Sequence, residues 1–406
     1  MINQTERTIL MVALDFPPCQ SAGVQRTLKF AEYLADLGWK VVVLTVNENV
    51  YTVTDKQLTI PENITIYRCH SFDSARDFSV KGKYFAWSKV PDRWWSWAIK
   101  AIPLGKKLIE RYQPDIIWST YPVTTAHFIA YKLQQFSKLP WVADYRDPLQ
   151  CRYDNNVLKY STLPKWIEKK TIQNCSKAVF TTQRAAQLYQ RLYPDEKLTK
   201  FTVIENGFDE GNFKDILMGV NEHSEKFSLL HSGSIYPNGR DPQALFEAIS
   251  YLKREKVLSR DNFELVFRGA SSSQYIISLT EGDILDLVYF KKAISYKESL
   301  EEMINSSALL LIQGNLFINQ IPGKAYEYIR CQKPMLAITG SNGATGDLLS
   351  RISQSITADK KESIIEAIEV LIRAKMPLTE EVTCFERQTK GKKLENLLNS
   401  ILLRAN

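Results

Sequence analysis

Short apolar runs alternate with amphipathic stretches along most of the chain. "TILMVAL" (8–14) is a run of buried-strand type, and "DFPPCQSAGVQR" (15–26) is a loop rich in turn residues. "RTLKFAEYLADLG" (26–38) sets Leu28, Ala31, Leu34 and Ala35 on one helical face and stops at Gly38. "WKVVVLTV" (39–46) is the next buried strand. Strand, helix and strand in that order predict a parallel βαβ unit. The alternation resumes with strands at 114–120, 140–146, 177–182 and 201–209, and with helices around 123–136 and 163–175.

A hydrophilic segment at 210–226 then reads as a linker, and the pattern restarts with "FSLLHSGSI". Further strands are expected in "FELVFRG", "DLVYF", "LLLIQG" and "PMLAIT", with helices between them and an amphipathic helix near the C-terminus. At 406 residues the chain exceeds the ceiling for one core, roughly 250–300 residues. The expectation is α/β: two Rossmann-like, doubly wound domains facing across a cleft, 1–209 and 227–406, the second including the terminal helix. No period of 20–50 residues repeats, which argues against a solenoid.

Composition narrows the classes. With 44% apolar and 24% charged residues the chain is ordinary globular protein. Its longest apolar runs fall far short of the ~20 residues that span a bilayer. No basic region precedes an apolar core at the N-terminus, so no signal peptide is expected. Six cysteines (Cys19, Cys69, Cys151, Cys175, Cys331 and Cys384) include no CxxC pair, so neither a zinc site nor a disulfide framework is indicated. A reduced, cytoplasmic protein follows. A net charge of +7 suits anionic small molecules or a membrane surface and is too diffuse for a nucleic-acid binder.

Several loops carry candidate chemistry. The first lacks the GxGxxG of dinucleotide binders and offers Gly23 alone, either a plain turn or a close backbone approach to an anion at a helix start. "WVADYRDPLQ" (141–150) clusters Asp144, Arg146 and Asp147 at a strand end, as working residues or as a salt-bridge set. In "HSGSIYPNGRDPQ" (231–243), Gly233, Asn238 and Gly239 allow close backbone approach. Arg240 stands near the next helix start, a diphosphate-binding combination; the bland alternative is an Asn-Gly turn with a solvated Arg. "NQIPGKAYEYIRCQKPMLAIT" (319–339) opens a helix at Pro322-Gly323 with Lys324 and Glu327 near its start, and passes into a strand. "TGSNGATGDLL" (339–349) has glycines without phosphate-loop spacing and reads as a loop lining the cleft. The four histidines lack metal spacing, and His127 reads as a core or surface residue. "KGKYFAWSKVPDRWWSWAIKAIPLGKKLIERY" (81–112) holds eight Lys or Arg against two acids and four of the eight Trp. That mixture suits an anionic membrane surface or an aromatic core segment with snorkelling lysines.

These stretches resemble GT-B glycosyltransferases, specifically the large retaining family-4 group of bacterial surface-polysaccharide enzymes. That group carries two glutamates eight positions apart ahead of a turn and a strand. "EYIRCQKPMLA" is similar to the second half, which implies that Glu327 hydrogen-bonds the ribose hydroxyls of a nucleotide. Asn319 stands where the first glutamate is expected, and "PGKAYEY" resembles a variant with the same departure. The group's phosphate-binding Arg falls at Ser234, leaving Arg240 as the nearest cation, and its common histidine falls at Arg146. "VIENGFD" and "SAGVQRTLKFAEYLADLGWKVVVLT" also resemble the group.

The resemblance implies transfer of a sugar from a nucleotide-sugar to a saccharide or lipid-linked saccharide, with retention and without metal or other cofactor. Asp144, Arg146 and Arg240 are the expected catalytic set; Gly23, Gly233, Arg240, Pro322, Gly323, Lys324 and Glu327 are expected at the donor. A peripheral position on the inner membrane face goes with segment 81–112. A nucleotide-sugar 2-epimerase and a non-catalytic GT-B module are the competing expectations.

Overall fold

The computed structural model describes residues 7–21, 23–55, 60–78, 89–149, 162–214, 216, 226–373 and 381–405. They form two compact units, one of Met1–Asn206 with Arg387–Asn406 and one of Gly207–Glu386. The first is built on a sheet of β1 (Thr8–Val12), β2 (Lys40–Val46), β3 (Ile64–Cys69), β4 (Ile116–Tyr121), β5 (Trp141–Tyr145), β6 (Lys177–Phe180) and β7 (Phe201–Val203). Their order is β3-β2-β1-β4-β5-β6-β7, with every neighbouring pair parallel. The runs read as buried strands are buried because helices cover both faces, leaving no polar side to alternate toward.

The second unit repeats the plan with β8 (Phe227–Ser232), β9 (Phe263–Arg268), β10 (Val288–Lys291), β11 (Ala308–Ile312), β12 (Met335–Ile338) and β13 (Ser355–Ala358). The order is β10-β9-β8-β11-β12-β13. In both sheets the order reverses beside the first strand of the unit, at β1/β4 and at β8/β11. Loops at the carboxyl ends of those strands are where doubly wound sheets hold ligands.

The domain boundaries differ from expectation in two places. The terminal helix Arg387–Ala405 belongs with the first unit, not the second. It packs on the helix Val24–Asp36, where a Cβ on Gly391 would meet the Tyr33 ring at 2.6 Å, and it buries Leu394 and Leu398 in the first core. Lys390 seals the contact by donating to Glu205 at 2.7 Å. The expected linker starts inside the second unit, since Phe213 and Ile216 pack in its core with Phe208. Residues 215 and 217–225 of that linker lie outside the described residues.

The first unit is tied together at one buried ion pair. Arg26 on the first helix reaches Asp144 at the end of β5 by two bonds, Nε to Oδ2 at 3.0 Å and Nη2 to Oδ1 at 2.7 Å. Its remaining donors go to the carbonyls of Ile204 and Glu205 and to the Asn206 side chain. Thr120 supplies Asp144 with a further donor at 3.0 Å. Removing one member of such a pair strands the other charge without solvent. Asp144→Ala is therefore expected to lower the stability of the first unit by about 3–5 kcal/mol in urea unfolding followed by circular dichroism. Arg146→Ala, at a looser pair near the surface, should change it by less than about 1 kcal/mol. Equal effects from the two substitutions would remove the special standing of Asp144.

Candidate functional site

In the second unit the chain leaves β8 through Gly233, whose φ of +120° is open to glycine and strained for other residues. Space points the same way, because a Cβ at 233 would run into the ammonium of Lys324. Lys324 opens the helix Lys324–Cys331 and points back to the strand end, donating to the Ser232 carbonyl. The same helix is locked there by Tyr328, whose buried hydroxyl accepts from the Ser232 amide at 2.9 Å.

Beneath Lys324 sits His231, fully buried. Its Nδ1 donates to the Leu310 carbonyl at 2.9 Å, which leaves Nε2 as an acceptor 3.5 Å from the Lys324 ammonium. Burial and then the Lys324 charge push the imidazole pKa well below its usual value, so the ring is neutral. Lys324 itself is pulled down to about 7, first by burial and then by the Arg240 guanidinium, with Glu327 opposing. Arg240 lies over the rings of Tyr236 (5.4 Å) and Phe317 (5.8 Å), and its Nε is buried without a partner. Two cations thus converge at the end of β8, a ready seat for an anion.

Glu327 stands three residues after Lys324 on the same helix, so the two project from neighbouring positions. Its Oε1 accepts from the Tyr296 hydroxyl at 2.7 Å. Tyr296 opens the helix Tyr296–Asn305 right after Ser295, which caps it in a reciprocal box with Glu298. The sequence reading missed Tyr296 and Tyr328; an exposed aromatic directly behind a Ser-x-x-Glu cap was the signal for the first. Pro322 and Gly323 form the turn ahead of the helix, and Gly323 has open space around it, so its use is the turn. Ser234 is exposed on the loop.

In the first unit, the strand-end cluster resolves into two parts. Asp144 is fully buried and bound to Arg26 and Thr120, so it is withdrawn as an acceptor or donor-sugar contact: its carboxylate holds the fold. Arg146 remains at the loop, pairing with Asp15 at 3.4 Å. Gly23 lies against both, and a Cβ there would collide with the Arg146 guanidinium and the Asp15 carboxylate. Its close approach is therefore to these side chains. Asp15 was overlooked, although a carboxylate directly after the apolar run "TILMVAL" was its sign. His127 is a core residue: its Nδ1 shares a hydrogen with Ser119 Oγ at 2.8 Å, and burial lowers its pKa to about 3. Among the described residues no group of His, Cys, Asp and Glu is arranged to hold a metal ion.

Residues 23–211 match the family model described as Glycosyltransferase Family 4. Sucrose-phosphate synthase from Thermosynechococcus elongatus superposes with a TM-score of 0.63 at 15% identity, covering 98% of this chain and 97% of that one. Anabaena HepE, solved in complex with UDP, gives 0.65 at 12% identity, covering 97% and 100%. The UDP-GlcNAc 2-epimerase of Methanocaldococcus jannaschii gives 0.55 at 14%, covering 98% and 100%. At these identities the structural likeness speaks for the fold. The search of curated proteins found no match. The family match over residues 23–211 and the GT-B fold of the whole chain together support a family-4-like glycosyltransferase.

The Lys324 geometry has a pH consequence. In the free protein the ammonium loses its proton above about 7, whereas a bound diphosphate would hold the proton in place. Affinity for a nucleotide-sugar, whose phosphates do not titrate in this range, should be full below about pH 7. It should fall by up to roughly tenfold per pH unit above that. Calorimetric titrations from about pH 6.5 to 8.5 check this, and Lys324→Arg, which stays charged, should flatten the profile. A flat wild-type profile would remove Lys324 from the anion seat.

Proposed function

We propose that the protein transfers a sugar from a nucleotide-sugar to a saccharide or lipid-linked saccharide, with retention of configuration and without a metal, in the building of a surface polysaccharide. The observation that carries the donor half is the meeting of Arg240, Lys324 and Glu327 at the end of β8. Two neighbouring cations match a diphosphate, and a carboxylate one helical turn away matches a vicinal diol. In this reading the cations take the place of a metal in stabilising the departing diphosphate. Arg146, with Asp15 beside it, serves the sugar or acceptor end. HepE crystallised with UDP is consistent with a uridine nucleotide, and a panel of bases decides it.

The epimerase reading keeps a claim because an epimerase shares the fold. The two separate on products, since an epimerase converts its nucleotide-sugar without any acceptor. Glu327→Ala should weaken nucleotide-sugar binding by about 1.5–3 kcal/mol, the range for hydrogen bonds to a charged group. It should lower transfer in step. Turnover of donor into its 2-epimer in the absence of acceptor would favour the rival. Equal nucleotide affinity in wild type and variant would sink the ribose assignment.

No helix among the described residues is long and apolar enough to cross a membrane. A lipid-linked acceptor therefore asks for a surface contact. Residues 81–88 of the segment 81–112 lie outside the described residues. In the rest, Trp97 is buried in the core, so part of the aromatic content is structural. The basic side remains: Lys100 and Lys107 are exposed on the helix Trp97–Tyr112, and Lys106 lies 4.9 Å from the ring of half-exposed Phe136. The neighbouring helices Thr124–Ser137 and Thr162–Asn174 add exposed Lys132, Lys169 and Trp166. We infer a docking face made by three helices. Each Lys near an anionic surface adds about 1 kcal/mol, screened by salt. Co-sedimentation with anionic liposomes should fall with added salt, and should fall again when Lys100, Lys106 and Lys107 become Glu. A wild type that ignores anionic liposomes at low salt points to a soluble acceptor.

A further inference from the structure

The loop after β5 is fastened by a chain of hydrogen bonds that runs through two buried side chains. Arg146 opens that loop, and its carbonyl accepts from the Thr181 hydroxyl at 2.7 Å. Further on, the buried amide of Leu149 donates to the Tyr189 hydroxyl at 3.0 Å. Tyr189 is fully buried on the helix Gln183–Leu192, its ring packed on Phe180 and Tyr145 at centroid distances of 4.7 and 5.2 Å. Behind it stands Glu168 of the helix Thr162–Asn174, 8% exposed. One carboxylate oxygen accepts from Tyr189 at 2.6 Å and the other from Tyr193 at 2.7 Å.

We propose that Glu168, acting through Tyr189, is a positioning residue for the loop that carries Arg146. The proposal rests on the reading of Arg146 as a contact of the sugar or acceptor. A phenol has a single hydrogen to donate, and a carboxylate offers none in return. The Tyr189 hydrogen therefore points to Glu168, and the phenol oxygen is left as an acceptor for the Leu149 amide. An apolar residue at 168 would free that hydrogen to face Leu149, donor against donor, with a buried amide unmet.

The carboxylate sits here at a cost. Burial raises its pKa, against the hydrogen bonds of both phenols and the Lys165 charge. Burial, and then the Glu168 charge, push the Tyr189 pKa well above the ordinary phenol value, so the phenol keeps its proton. A clamp between two helices needs no such charge, since apolar side chains of similar volume join helices at least as well. What the carboxylate adds is a direction, carried to the amide of Leu149. With Thr181 on the Arg146 carbonyl and Tyr189 on the Leu149 amide, the backbone over 146–149 is held at both ends. The pair that Arg146 makes with Asp15 at 3.4 Å is too loose to hold it unaided.

The test compares full-length variants that cut this chain of bonds at different points. Tyr189→Phe and Glu168→Ala break it. Tyr193→Phe removes the other phenol of the same carboxylate and leaves it whole. Hydrogen exchange at the Leu149 amide is read by mass spectrometry with residue-level fragmentation, with the amides of β5 as the reference for global stability. It should quicken about tenfold or more in the first two variants and stay within about twofold of wild type in the third. Hydrolysis of UDP-, GDP- and ADP-glucose is the second readout, taken with whichever donor the wild type cleaves fastest. Tyr189→Phe should lower kcat roughly tenfold and leave KM nearly unchanged, because the proposed seat for the donor phosphates is in the second unit. Tyr193→Phe should change neither. Equal Leu149 exchange in Tyr189→Phe and Tyr193→Phe overturns the proposal, as does an undiminished kcat in Tyr189→Phe where Arg146→Ala lowers it. An Arg146→Ala variant with full kcat, or a wild type that cleaves none of the three donors, removes the reading of Arg146 and with it the part of Glu168 in transfer. Exchange at Leu149 then still decides whether Glu168 holds the loop.

Discussion

The Arg26–Asp144 pair is the constraint on which the first unit's working end depends. Desolvating two charges costs several kcal/mol each, and their attraction offsets this only with good geometry and every other donor and acceptor satisfied. Here both conditions hold. The guanidinium spends its remaining hydrogens on the backbone at 204–205 and on Asn206, and Thr120 adds a donor to the carboxylate. The first helix, β5 and residues 204–206 after β7 are thereby set against one another by directional bonds. Arg146 lies only two residues beyond Asp144, so its meeting with Asp15 and Gly23 inherits that positioning.

In the second unit the logic is reversed. Burial first, and then the like charge of Arg240, lowers the Lys324 pKa, and the Arg240 Nε is buried without a partner. His231, held neutral below them, adds a lone pair but no charge. Two neighbouring cations of this kind cost stability in the free protein, and a nearby anion would offset that cost. Binding sites commonly hold strain of this kind, and its placement beside a glycine that leaves room for the ammonium makes it a feature of the backbone as well.

The sheets were legible in the sequence because parallel strands covered on both faces must be continuously apolar, as in "TILMVAL" and "ALLLI". The two strands that escaped reading, β3 and β13, are edge strands. "ITIYRC" and "SITA" are only partly buried, so neither carries a clean run. The terminal helix was read as a helix but given the wrong partner. Periodicity reveals an apolar face and says nothing of which unit covers it; Gly391 against Tyr33 is a contact nearly 360 residues apart in sequence. Asp144 misled for a related reason: a strand-end carboxylate looks the same whether its cation is a ligand or Arg26. The cluster at Gly233, Lys324 and Glu327 was legible because its parts lie at loop and helix starts, where residue type reports function most directly.

Arg240 shows how a loop can return a distant charge to a strand end. The resemblance expects a cation right after Gly233, where this chain has exposed Ser234. Six residues further along an extended loop would carry a guanidinium some 20 Å away, at about 3.3 Å per residue. Instead, Tyr236 and Arg240 bond back to one another, amide to carbonyl at 3.1 Å each way, and close a tight turn over Pro237, Asn238 and Gly239. Gly239, at φ +97°, makes the reversal possible, and the Gly314 amide pins its carbonyl. The loop folds on itself, and the arginine returns close enough to add to the lowering that burial begins at Lys324 and His231. A hairpin that the linear motif does not contain thus brings a cation beside Lys324.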